Sequence, residues 1–389
     1  ADPDTDMTVT CNEQIKPGVP EQNATRLAFF IAGLAMATWA PLVPFAKTRI
    51  GIDDGSLGLL LLCIGVGSIM AMPLTGLLTG KFGCRRVILL AGIALCIDLP
   101  LLVLMDSTLG MALALLLFGA AMGMIDVAMN IQAVVVERAS NRAMMSGFHG
   151  FFSVGGIAGA GGVSALLWLG LGPLQATLIA VVAILVLLLN APKNQPRESG
   201  RDNPGPMFVL PRGWVMFIGL LCFIMFLAEG SMLDWSALYL TTMRGMDHNQ
   251  AGLGYALFSI AMTIGRLNGD RVVNAMGRYQ VLLLGSLCAA IGLALAITID
   301  SAIASLIGFM LVGVGASNVV PILFSAAGNQ RVMPANLAIA SVTTVGYAGI
   351  LAGPAVIGLI AQVSSLTFAL ACVAALLLIV TASAKAVTR

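Results

Sequence analysis

Two stretches, Gly51-Ile-Asp-Asp-Gly-Ser-Leu-Gly58 and Gly245-Met-Asp-His-Asn-Gln-Ala-Gly252, decide how this chain is read. Gly245 stands 194 residues after Gly51, and both stretches spell G-x-D-x-x-x-x-G between apolar runs. At the same offset Asp106-Ser107 falls on Asp300-Ser301, and Gly83, Gly119, Gly155 and Gly159 fall on Gly277, Gly313, Gly349 and Gly353. Six glycines coincide in all, where the glycine content predicts only about two by chance. The chain is a duplication, and the seam between its halves is the place to look for a site.

The chain is 59% hydrophobic and 10% charged, with a mean hydropathy of +0.98. Soluble domains carry about 25% charged residues, so lipid is the expected solvent. Apolar runs of about 20 residues recur along the whole length, long enough for helices to cross a bilayer. They do not alternate, which excludes a barrel. A net charge of +2 argues against a nucleic-acid partner. Six of the seven cysteines (Cys63, Cys84, Cys96, Cys222, Cys288, Cys372) lie in or beside apolar runs without C-x-x-C spacing, so neither a zinc site nor a disulfide framework is expected. The first 25 or so residues are polar and lack the apolar core of a signal peptide. Met7 reads as a natural start, with Ala1–Asp6 as an added remnant.

The expected fold is all-α and polytopic, with twelve spans near 26–47, 56–79, 86–105, 109–133, 146–169, 173–190, 214–241, 251–273, 279–299, 303–327, 335–361 and 364–384. Residues 1–25 form a tail, 26–190 a first six-helix bundle, and 214–389 a second with a short tail. Residues 191–213, rich in proline and charge, read as an exposed connector. If the N-terminus is cytoplasmic, seventeen lysines and arginines lie inside and only Lys47, Arg49 and Arg244 outside. That asymmetry places both termini and the connector in the cytoplasm, and an even span number makes the halves parallel repeats.

From about residue 25 onward the chain resembles the major facilitator superfamily of transporters. The loop after the second span in that family reads roughly G-x-L-a-D-R-x-G-R-R, and here it is Gly76-Leu-Leu-Thr-Gly80-Lys-Phe-Gly83-Cys-Arg85-Arg86. Gly80 replaces the acid that helps the family latch its halves together on the cytoplasmic side. The second copy, around Asn274 and Gly277-Arg278, is more degenerate. Phe148-His149-Gly150-Phe-Phe-Ser153 and Ala228-Glu229-Gly230-Ser-Met-Leu-Asp234-Trp235 are similar to the YbjJ-type bacterial inner-membrane proteins, which are distantly similar to fucose-permease-like sugar/proton symporters. Gly155-x-x-x-Gly159-Ala-Gly-Gly lacks the proline that drug antiporters carry in the fifth span, whereas Gly349-x-x-x-Gly353-Pro354 stands in the other half.

An ionisable group inside a span costs about 2.5–3.5 kcal/mol on insertion scales and needs a reason. Asp126 and Asn130, with Gly119 and Gly123, lie on one face of the fourth span. A carboxylate withdrawn from water can serve proton exchange, and the resemblance implies the same for an acid in this span. Glu229 falls near the middle of the seventh span, which lines the cavity in the family. It is a candidate both for proton coupling and for a polyol hydroxyl or ammonium group. His149, on the fifth span, is the third candidate for proton coupling, as a relay to Asp126. Trp39, Asn130, Asn318 and Tyr347 complete the candidate substrate contacts, and Gly83, Arg85, Arg86, Asp234 and Arg266 the candidate gating residues. Arg266 is expected at the inner end of the eighth span, snorkelling or latching loops. Asp98 reads as a structural contact in a peripheral helix. Ordinary interhelix hydrogen bonds and packing remain the competing reading throughout.

No H-E-x-x-H, Walker loop, nucleophile elbow or paired-histidine spacing occurs, so no metal, cofactor, ATP hydrolysis or enzymatic activity is expected. The expected function is secondary active transport of a small polar, sugar-like or related metabolite across the bacterial inner membrane. The partners are the solute, protons and lipid, and the expected state is a monomer. Proton-coupled export of drugs or metabolites is the rival within transport, and a non-transporting membrane sensor or scaffold the rival outside it.

Overall fold

The computed structural model describes residues 18–52, 54–190, 210–246, 250 and 253–389. Asp53, Asp247 and Gly252 of the opening stretches, the expected tail up to residue 17 and the connector over 191–209 lie outside the described residues. The helices in chain order are α1 Val19–Trp39, α2 Val43–Ile50, α3 Asp54–Phe82, α4 Cys84–Leu104, α5 Thr108–Ser140, α6 Met145–Trp168 and α7 Pro173–Asn190. The second half holds α8 Trp214–Arg244, α9 Leu253–Met276, α10 Arg278–Thr298, α11 Ala302–Ala316, α12 Val319–Asn329, α13 Ala335–Val363 and α14 Leu366–Val387.

Proline explains where the helices exceed the expected spans in number. Pro41 and Pro44 follow the first span, which ends at Trp39 in a 3₁₀ turn over Ala40–Leu42 before the short α2. The tenth span is split into α11 and α12 around Ser317-Asn318, one turn before Pro321. Among the described residues eleven spans are long and apolar enough to cross a membrane. The twelfth, α9, falls short because Arg266, Asp270 and Arg271 all lie within it.

The 194-residue repeat is visible in local geometry. Gly51 and Gly245 both end a helix in the left-handed region, at φ 73° and 66°, where a side chain would be strained. Ser107 and Ser301 both cap the following helix by accepting a backbone N–H three residues on. Gly119 lies against the carbonyl of Ile64, and Gly313 lies against that of Phe258, its repeat mate. Within lipid, helices associate through such close backbone contacts rather than through the hydrophobic effect. Large apolar side chains such as Leu59, Leu90 and Ile97 accordingly stay exposed on the outer surface.

Two of the three cations outside the charge asymmetry do matching jobs in the two halves, though they stand one residue out of the repeat register. Arg49 donates to the carbonyls of Leu102 and Met105 at the end of α4, both at 2.8 Å. Arg244 donates to Ala296 O at the end of α10 at 3.0 Å, and pairs with Asp300 at 3.2 Å. Each satisfies orphan carbonyls at a helix C-terminus, where a cation also suits the helix dipole.

Within the first half α3 packs on α5 and α1 on α6; within the second, α9 packs on α11 and α8 on α13. The halves meet along α3 against α13 and α6 against α9. Cross-half hydrogen bonds among the described residues lie between the centre of the bundle and the end where α5 finishes and α6 begins.

Candidate functional site

The polar residues that break the repeat, Asp126, Asn130 and His149 where the second half has Val320, Phe324 and Thr343, converge at the seam. On α5, Asn130 is one turn beyond Asp126, so its amide nitrogen reaches both the Asp126 carbonyl (2.8 Å) and carboxylate (3.0 Å). The amide oxygen of Asn130 faces His149 Nε2 at 3.0 Å. An amide oxygen only accepts, so Nε2 is the donor in this arrangement. The imidazole lies between the rings of Phe29 and Phe324, with centroids 5.2 and 5.6 Å away. One turn along α6, Ser153 Oγ donates to the His149 carbonyl at 3.4 Å.

From Ser153 the chain crosses to the other half. Arg266 Nη1 reaches Ser153 Oγ at 3.4 Å, and Nη2 pairs with Glu229 Oε1 at 3.4 Å. Its Nε donates to the Ser317 carbonyl at 3.1 Å. Pro321 has no N–H to offer the carbonyl four residues earlier, so the break between α11 and α12 leaves that oxygen free for the guanidinium. Arg266 is therefore not at the inner rim where it was expected to snorkel. Helix α9 continues to Met276, ten residues beyond Arg266, or about 15 Å at the helical rise. The side chain is 9% exposed, against 19% for Glu229. A buried ion pair is tolerable when further hydrogen bonds serve its remaining donors, as Ser317 and Ser153 do here.

Tyr347, on α13 of the second half, interacts with Ser68 of α3 and with the Asp126 carboxylate. Six expected residues, Asp126, Asn130, His149, Arg266, Glu229 and Tyr347, thus belong to one cluster. Others stand apart from it. Trp39 is buried at the end of α1, its indole nitrogen without a partner among the described residues. Asn318 sits in the helix break with its amide oxygen buried and unpartnered. Asp234 is exposed on α8, away from the Glu229–Arg266 pair, and Trp235 beside it packs towards Gly358. Asp98 is fully buried in α4, both carboxylate oxygens lacking a described partner.

At the end where α5 meets α6 the halves are locked. Glu137, 5% exposed, accepts the N–H groups of Met144 and Met145 at 2.9 Å each, which caps α6. It also accepts from Ser325 Oγ at 2.6 Å and pairs with Arg278 at 3.1 Å, both in the other half. Asp270 accepts from Gly147 N, and Asn274 exchanges two hydrogen bonds with the backbone of Ala143. Arg138 donates to the Gly328 carbonyl, and Asn336 donates to the Gly76 carbonyl at 2.8 Å. The closure therefore proceeds without an acid at Gly80. Gly83 joins α3 to α4 and Arg85 and Arg86 lie in the first turn of α4, and among the described residues they make no hydrogen bond or ion pair to the second half. Glu137 and Asp270 are not among the residues expected from the sequence. The available signal was an acid isolated among the basic residues of that end, at Glu137-Arg138 and Asp270-Arg271.

Comparison with known proteins agrees with this architecture. The family described as the Major Facilitator Superfamily matches residues 26–331. An MFS-type transporter of Yersinia pestis is 73% identical over 98% of this chain and 100% of its own length. The membrane protein MosC of Rhizobium meliloti is 31% identical over 89% of this chain and 85% of its own. Among solved structures, the Escherichia coli fucose:proton symporter superposes with a TM-score of 0.76 at 14% identity, over 95% of this chain and 99% of that one. A proton:xylose symporter gives 0.73 at 12% identity, over 94% of each chain. At that identity the likeness speaks for the fold alone. The chain belongs to the major facilitator superfamily and is a multi-pass membrane transporter, not an enzyme.

Proposed function

We propose that this transporter moves a small polar solute, sugar-like or a related metabolite, across the bacterial inner membrane by proton-coupled alternating access. The observation that carries the reading is the polar chain Asp126–Asn130–His149–Ser153–Arg266–Glu229, which runs from the first half into the second. A proton added to Asp126 removes one charge and puts an O–H donor on one carboxyl oxygen, which weakens its hold on the Asn130 amide. Asn130 holds His149, and the same α6 turn carries the Ser153 contact to Arg266. Protonation thereby favours one relative position of the halves over the other, the differential affinity that coupling requires.

Trp39, Asn130, Glu229, Asn318 and Tyr347 serve as solute contacts in this reading. Gly83, Arg85, Arg86 and Asp234 act at the gates, and the working unit is a monomer. With both termini cytoplasmic, the locked end faces the cytoplasm and this conformer opens outward. Proteins described as fucose:proton and proton:xylose symporters have the same fold, so the fold accommodates this solute class and coupling ion. Export of a cationic drug is less favoured, because Glu229 already holds Arg266 and the cargo would have to displace it.

The test begins with ligand stabilisation of the purified protein across sugars, polyols, amino acids and organic cations. The solute so identified is then followed in proteoliposomes. Asp126→Asn retains exchange of bound solute but loses accumulation driven by a proton gradient. Unchanged accumulation by that variant sinks the assigned role.

A further inference from the structure

A polar cavity one helical turn beyond the central chain opens at the locked end. It measures about 490 Å³ and is lined by Arg26 and Arg142 of the first half and by Asp270, Arg271 and Asn274 of the second. The lining side chains carry three guanidinium groups and one carboxylate, an excess of two positive charges. Asp270 does not neutralise them by contact. Both its oxygens accept the Gly147 N–H at 3.1 Å, and among the described residues it forms no ion pair with any of the three arginines. The arginines also retain most of their donors. Arg142 gives one to Gln22 at 3.2 Å, Arg26 gives one to Asn23 at 2.7 Å, and Arg271 gives none within the described residues. A concave surface lined by one sign of charge concentrates counter-ions, and planar guanidinium forks match the oxygens of phosphate in pairs.

We infer that this cleft is a binding site for a phosphate-bearing anion, and that occupancy holds the two halves together at this end. A carboxylate offers only two oxygens, whereas three guanidinium groups lining one cleft from both halves call for a multiply charged group with several acceptors. The cleft lies where α5 and α9 finish and α6 begins, close to the depth at which basic pockets between membrane helices meet lipid headgroups. Its walls belong to different halves, so separating them at this end dismantles the site. A ligand that binds only the assembled cleft stabilises this conformer by mass action. The ligand chemistry is phosphate, supplied either by an anionic phospholipid headgroup or by a soluble phosphate.

The experiment uses full-length protein with spin labels at the exposed positions 81 and 331, after replacement of the native cysteines, to read the fraction closed at this end. In detergent at constant ionic strength, inorganic phosphate is expected to raise that fraction where chloride does not. In nanodiscs held in phosphate-free buffer, phosphatidylglycerol is expected to raise it above the value in phosphatidylcholine. Response to both probes, or to one alone, supports the site and identifies its source. Arg271→Gln is expected to weaken the phosphate response about tenfold, the equivalent of one charge-assisted hydrogen bond, with thermal stability unchanged. Arg26→Gln is the second variant, on the opposite wall. Equal shifts with chloride, no shift with either probe, or responses unaltered in both variants overturn the proposal.

Discussion

Truncating Glu137 to alanine should unlock the end at which the halves now meet. Four bonds are lost, but they do not count equally towards the conformational balance. The two to Met144 and Met145 stay within the first half, so their loss affects both conformers alike. The bonds to Ser325 and Arg278 cross the seam and exist only when this end is closed. The Ser325 bond, 2.6 Å long and buried, is an ordinary candidate for the about 1.5–3 kcal/mol of a hydrogen bond to a charged group. The Arg278 side chain is 41% exposed, so solvent screening reduces its share to about 0.5 kcal/mol. The closed conformer should therefore lose about 2–3.5 kcal/mol relative to the open one, roughly a 30- to 300-fold shift in their ratio. Distance distributions between spin labels at positions 81 and 331 measure it directly. Arg278→Gln should move the same distribution by no more than about threefold. A Glu137→Ala distribution identical to that of the parent protein would refute the assignment of Glu137 as the lock.

Other outcomes follow from the same geometry. Pro321→Ala supplies an N–H to the Ser317 carbonyl and competes with Arg266 for it, so transport should fall about tenfold or more while the protein still folds; initial uptake rates and thermal unfolding separate the two. Gly119→Val and Gly313→Val each drive a side chain into a neighbouring backbone carbonyl and should cost about 1–3 kcal/mol or more in detergent. Gly161→Ala, which meets open space, should change thermal stability little. Arg266→Gln alone leaves a buried carboxylate unpaired and should destabilise by about 3–5 kcal/mol, whereas Arg266→Gln with Glu229→Gln should be milder than the sum of the two single changes. Additivity in that double-mutant cycle would mean that the pair is not coupled.

Much of the fold was legible because its signals are local. Apolar length marks the spans, Ser107 and Ser301 mark helix starts, and Gly51 and Gly245 mark helix ends. The Asp126–Asn130 contact was equally legible, since residues four apart on one helix must be neighbours. The central position of Arg266 was not. The apolar pattern ends near residue 273, and the three charges within the span make its end look close. The continuation of α9 to Met276 and the carbonyl freed by Pro321 move Arg266 inward. Glu137 was hidden for a related reason. Helix α5 runs to Ser140, beyond the expected end at 133, and carries this acid over the start of α6.

By itself, then, the chain determined its solvent, its helices, its duplication and which residues break that duplication. Each of these is written in short-range spacing or in composition. Only the tertiary structure decided that His149 meets Asn130, that Arg266 bridges Ser153 and Glu229, and that one end is locked by Glu137, Asp270, Asn274 and Asn336. Those meetings depend on the rotation and depth of each helix against its neighbours. In lipid that docking is set by close backbone contacts at glycines such as Gly119 and Gly313 and by interhelix hydrogen bonds, neither of which leaves a period in the sequence.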